Sequence, residues 1–235
     1  MHYDRNHCLL HFGTAEIVQY RRLVGTRAIE ALIKYKSVYK LLHNGSRVFI
    51  RLLTSVNVID SVRFNREGAY ILAANHLHFL DGPMMFAQTP GNKTFIPLAA
   101  DKWRNNLISR WFLDGIGAVY VNRDEIDRTA LKALLGHLKA GRCIGVSPEG
   151  TRSKTGALMQ AKSGICWLAR TANVPIIPMA HWGIEQFRLG YRPKVELRLG
   201  DPFWVTREDN LDARTADLMK IIAAMLPVQY RGVYE

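Results

Sequence analysis

Residues 70–81 read Tyr70-Ile71-Leu72-Ala73-Ala74-Asn75-His76-Leu77-His78-Phe79-Leu80-Asp81. The first five form an unbroken apolar run, the pattern of a strand buried on both faces in a helix-covered sheet. Two histidines and a carboxylate follow directly. They fall at the strand's carboxyl end, where α/β sheets gather their ligand sites.

Working outward, short apolar runs recur at Thr94 to Ala100, Ala118 to Asn122, Cys143 to Ser147, Ile176 to Ala180 and Val195 to Leu199. Each reads as a strand. Helical stretches lie between them, near Pro83 to Gln88, Lys102 to Leu113, Asp127 to Ala140, Gly164 to Ala172 and Leu211 to Leu226. This alternation predicts an α/β domain with a mostly parallel central sheet flanked by helices. Upstream, Ile17, Tyr20, Val24, Ala28, Ala31, Tyr35, Val38 and Leu42 recur every three or four residues, one face of a helix from Glu16 to His43. That N-terminal amphipathic helical appendage, residues 1–55, precedes a core domain of residues 56–235. Arg21, Arg22, Arg27, Lys34, Lys36 and Lys40 flank its apolar face. Such a helix either lies in a headgroup layer or packs on the chain's own core.

The 235 residues carry 32 basic against 20 acidic side chains, a net +12 that favours anionic partners: nucleic acid, an acidic leaflet or phosphorylated substrates. The start, MHYDRNHCLLHF, lacks the features of a signal peptide. No stretch reaches the roughly 20 apolar residues of a spanning helix, so contact with a membrane is expected from the side. The three cysteines are odd in number and widely spaced, which suits a reducing compartment. Cys143 and Cys166 fall in apolar segments where a thiol is expected to be inert.

In Asn75 to Asp81, a carboxylate five residues from His76 can hold one ring nitrogen and leave the other as a general base. Asp81 can instead cap the helix that starts at Gly82-Pro83. His76, His78 and Asp81 can also be read as metal ligands, although no distant His/Cys cluster completes a shell. The apolar run at Cys143 delivers a second polar group, Val146-Ser147-Pro148-Glu149-Gly150-Thr151-Arg152-Ser153. Arg152 has the forked donors suited to phosphate, and Glu149 can accept from hydroxyls or orient that arginine. Alone, such a turn reads first as a surface loop with an internal Glu149 to Arg152 ion pair.

The two stretches together, N-H-x-x-x-x-D and then P-E-G-T-R-S, resemble the glycerolipid acyltransferases in order and separation. Weaker blocks, Gly117 to Arg123 and Val174 to Pro178, extend the resemblance over about Ala69 to Ala180. It implies that His76 is the general base and Asp81 its orienting partner. It also implies that Arg123 and Arg152 help hold the acceptor's phosphate, that Gly150 and Thr151 belong to the substrate-binding turn, and that Glu149 positions the acceptor's glycerol part. Lys102 stands where the family often carries a phosphate-binding lysine, although Trp103 and Arg104 depart from the pattern. Ser147 also departs, since the family usually has an apolar or aromatic residue before Pro-Glu-Gly.

The implied reaction moves a fatty acyl group from acyl-CoA or acyl-carrier protein to a lysophospholipid hydroxyl, giving phosphatidic acid from 1-acyl-glycerol-3-phosphate. It implies no cofactor and no metal. It places the enzyme peripherally on the cytoplasmic side of an anionic membrane, with no nucleic-acid partner expected. The rivals are an acyltransferase for another lyso-lipid or glycolipid, and a basic lipid- or nucleic-acid-binding module in which His76 is idle.

Overall fold

The computed structural model describes residues 26–122 and 127–234. A long helix α1 (Thr26–Leu53) leads into seven strands: β1 (Ser55–Ile59), β2 (Ile71–Ala74), β3 (Phe95–Ala100), β4 (Val119–Val121), β5 (Cys143–Val146), β6 (Ile176–Trp182) and β7 (Lys194–Leu199). Between and after them run α2 (Asp81–Gln88), α3 (Leu107–Gly115), α4 (Arg128–Lys139), α5 (Gly164–Ala172) and α6 (Leu211–Met225). The strands form one sheet in the order β1-β7-β6-β2-β5-β3-β4. Every pairing is parallel except β6 with β7, which is antiparallel.

The mostly parallel α/β fold read from the apolar runs is therefore present, with the N-terminal amphipathic helix in place. Alternate residues of β2 serve opposite cores. Ile71 and Ala73 join the cluster that includes Leu134, Leu168 and Ile222 of α4, α5 and α6. Tyr70, Leu72 and Ala74 join Leu42 and Ile50 of α1 and Met84 of α2. A strand covered on both faces must be apolar at every position, which is why this stretch shows no alternation.

The pattern missed β1, on the sheet edge, where Ser55 to Val58 alternate in exposure and none is fully buried. It also ended the first helix too early. The expected span from Glu16 lies outside the described residues as far as Gly25, and beyond His43 the helix continues through Asn44-Gly45-Ser46 to Leu53. A helical Gly costs about 1 kcal/mol relative to Ala. Full burial of Ile50 contributes roughly 1.5–3 kcal/mol in the other direction. Arg47 adds to this by donating to the Ala87 and Thr89 carbonyls at the end of α2. Tertiary packing thus outweighs the local break.

The helix expected over Lys102 to Leu113 divides into a 3-10 turn, Asp101–Asn105, and α3. Asn106 separates them: its backbone is extended and its side chain accepts the Ser109 amide, which makes it the N-cap of a new helix. Asp127 and Asn210 start α4 and α6 in the same way. No described helix is long and apolar enough to cross a membrane.

Candidate active site

Strands β2 and β5 are neighbours, and their register pairs Ala73 with Val146. Three residues beyond each partner stand His76 and Glu149, so the sheet carries two distant motifs to one place. The join is made by hydrogen bonds. Glu149 Oε1 accepts the His76 amide at 3.0 Å, and the Ser153 amide donates to the His76 carbonyl at 2.8 Å. Glu149 Oε2 accepts the Met159 amide at 3.0 Å.

His76 Nδ1 lies 2.7 Å from Asp81 Oδ2. The same oxygen accepts the amides of Leu77 at 2.6 Å and His78 at 2.8 Å. Asp81 therefore ties down the turn that precedes it. It begins α2, yet its carboxylate makes no capping bond to that helix. Burial alone would raise this carboxyl, but the His181 and His76 rings and the His78 amide outweigh it and hold Asp81 below its ordinary value. A carboxylate at Oδ2 requires the proton between the two residues to sit on His76 Nδ1. Nε2 is left with its lone pair.

Glu149 is buried, and loss of water pushes its carboxyl up to about 7 against the pull of its two amide partners. Its oxygens thus hold backbone in place, whereas sequence reasoning had them facing a glycerol or Arg152. The amides of residues 76–78 are engaged by Glu149 and Asp81, so these three are not spare donors for an oxyanion.

His76 and Asp81 line a cleft of about 970 Å³ whose walls include Met85, Phe86, Leu134, Trp167 and Leu168. Ser147 and Gly150 line it near the dyad, and Gly150 has a left-handed backbone (φ 71°) that favours glycine. Thr151 and Arg152 are exposed on the following turn. Arg152 is close enough to His78 to help burial lower that imidazole. Lys102 is exposed beyond β3, its ammonium 5.9 Å from the Trp103 ring centre, and is not part of the cleft wall. Arg123 lies outside the described residues. The His78 ring packs against Phe79 and Phe187 and accepts the Leu80 amide through Nδ1, and among the described residues no cluster of metal-ligating side chains forms.

Two contributors, His181 and Lys162, escaped sequence reasoning, and Asn75 was read in the first motif without a role of its own. Asn75 and His181 are buried beneath the dyad, and Lys162 lines the cleft beside Gly150. A histidine inside the apolar strand Ile176–Trp182 was the one available signal, since buried polar side chains need partners. Burial pushes the Cys143 thiol up to about 11 and also raises Cys166, which disfavours the thiolate in both.

The family model described as Acyltransferase matches residues 55–182, more than half of the chain. A 1-acyl-sn-glycerol-3-phosphate acyltransferase of Bacillus subtilis (strain 168) is 25% identical over 169 residues, covering 70% of this chain and 82% of that protein. One of Streptococcus pneumoniae is 29% identical over 140 residues, or 59% of this chain and 51% of its own. The crystal structure of the 1-acyl-sn-glycerophosphate (LPA) acyltransferase PlsC from Thermotoga maritima has the same fold, with a TM-score of 0.65 and 22% identity over 88% of this chain and 84% of that one. Matched through its sheet from β1 to β6, including both motifs, the chain belongs to the acyltransferase family and is an enzyme of that type.

Proposed function

We propose that this enzyme transfers a fatty acyl group from a thioester, acyl-CoA or acyl-carrier protein, to the free hydroxyl of 1-acyl-glycerol-3-phosphate, giving phosphatidic acid. The observation that carries the reading is the His76–Asp81 pair set in the wall of a largely apolar cleft. The names of the relatives point to the same acceptor.

His76 Nε2 accepts the hydroxyl proton as the acceptor oxygen attacks the thioester carbonyl carbon. Asp81 stabilises the imidazolium that forms. The tetrahedral intermediate collapses with cleavage of the C–S bond, and the imidazolium returns its proton to the departing thiolate. A thioester already carries a good leaving group, so neither a covalent acyl-enzyme nor a cofactor is needed. General-base assistance typically contributes ~100- to 10,000-fold.

The apolar walls suit an acyl chain. Arg152, Lys102 and Arg123 are the proposed phosphate-binding cations, with Gly150 and Thr151 shaping their turn. Glu149 supports this arrangement from behind by holding the His76 backbone. Leu107, Ile108 and Trp111 of α3 are exposed near Lys102, Arg104 and Arg110, and Leu41 and Leu52 are exposed on α1. Such a mixture of apolar and basic side chains suits peripheral attachment to an anionic leaflet on the cytoplasmic side.

The test is release of free CoA thiol from palmitoyl-CoA in the presence of lysophosphatidic acid, with the lipid product identified. His76→Ala is expected to lower acceptor-dependent turnover at least 100-fold. Equal turnover in wild type and variant would refute the base assignment, and a different acylated product would move the proposal to another acceptor.

A further inference from the structure

We propose that His181 is a positioning residue that carries a proton on both ring nitrogens and completes a buried His76–Asp81–His181 chain. The inference deepens the reading of His76 as the base and rests on it for its kinetic consequences.

His181 sits on β6 with no solvent exposure, on the α1 and α2 side of the sheet with Ile177 and Met179. It is joined to Asn75 by three hydrogen bonds. Asn75 Nδ2 donates to the His181 carbonyl at 2.8 Å, and the His181 amide donates to Asn75 Oδ1 at 2.9 Å. His181 Nε2 lies 2.8 Å from the Asn75 carbonyl oxygen. A carbonyl only accepts, so Nε2 carries a hydrogen.

In a neutral ring the other nitrogen, Nδ1, would then be a bare lone pair. Nδ1 is 3.9 Å from Asp81 Oδ1. Neither atom has solvent exposure or a hydrogen-bond partner. Without a second proton, two acceptors would face each other in a dry site. A bridging water does not fit, because two hydrogen bonds of ordinary length through one water hold their end atoms about 4.5 Å apart. A proton on Nδ1 turns the repulsion into an ion pair within reach of a carboxylate whose other oxygen is fully used.

The groups around this pair are consistent with a cation. Glu149 senses the Asp81 charge, and Glu185, Arg152 and Arg188 act on the neighbouring His78. Across from His181 on β7 stands the apolar Leu197. Asp81 is thereby shared between two rings. A cationic His181 weakens the hold of Asp81 on a proton arriving at His76, which keeps the base in its unprotonated form to lower pH.

The test begins with nitrogen NMR of the histidine rings in the full chain at pH 7, assigned with a His181→Gln variant. Signals from two protonated nitrogens on His181 are expected, and a one-proton pattern overturns the proposal whether or not any variant folds. The second measurement is the pH profile of kcat/KM for His181→Gln and the ring-sized His181→Phe. Loss of one charge at this range should move the acidic limb up by about one unit, so that kcat/KM falls about tenfold at pH 6 and little at pH 8. A uniform fall at both pH values indicates packing alone and refutes the proposal. His76→Ala separates the two readings. If it keeps its turnover, the base assignment fails while the ring signals still decide the charge on His181.

Discussion

The Glu149 carboxylate accepts the backbone amide of His76 at 3.0 Å across 73 residues of sequence, so the second motif holds the backbone of the first motif's histidine. This bond has a pH signature. Burial raises the Glu149 carboxyl from 4.5 to about 7, so between those values the folded chain keeps a proton that the unfolded chain releases. Stability from the protonated form is complete below about 4.5 and is lost as pH rises through 7. Glu149→Gln removes this dependence. The melting temperature of wild type relative to that variant should fall between pH 5 and pH 8, and a constant difference would exclude the linkage.

Asp81→Asn keeps the shape of the side chain but presents an amide where three donors converge on one carboxylate oxygen. We expect kcat to fall about 100-fold or more. Orphaned buried groups should also reduce stability by roughly 1–3 kcal/mol. Thiol release and urea unfolding, measured on the same preparation, check the two effects. Wild-type kcat in a folded variant would remove Asp81 from the mechanism.

Gly183 ends β6 with φ 95°, and a Cβ there would collide with the Lys194 carbonyl oxygen. Neither the backbone nor the neighbouring strand leaves room for a side chain. Gly183→Ala is expected to cost about 2 kcal/mol or more. For a chain of this size that lowers the melting temperature by about 5 °C. A melting curve that overlays wild type would mean that the β6–β7 turn relaxes freely.

Ile108 and Trp111 are 81% and 64% exposed on α3. Replacing both with Glu should reduce co-sedimentation with phosphatidylglycerol vesicles severalfold, since it removes apolar contact and adds negative charge beside an anionic surface. Undiminished co-sedimentation would assign membrane contact to another face.

Much of this molecule was legible in the sequence because its information is local. An unbroken apolar run such as Tyr70 to Ala74 specifies a doubly covered strand, and a histidine five residues before an aspartate can meet it across a single turn. The helix that runs through Gly45 was illegible, because Ile50 and Arg47 stabilise it through groups from α2 and the sheet. Glu149 was seen but misplaced: its oxygens face the amides of His76 and Met159, partners fixed only by strand register. His181 was not seen at all, because its meaning comes from Asn75 and Asp81, residues about a hundred positions away. Sequence alone determined the covered strands, their alternation with helices and the His76–Asp81 pair. Tertiary structure alone decided what stands behind that pair, because burial and strand order choose the partners of a buried polar group.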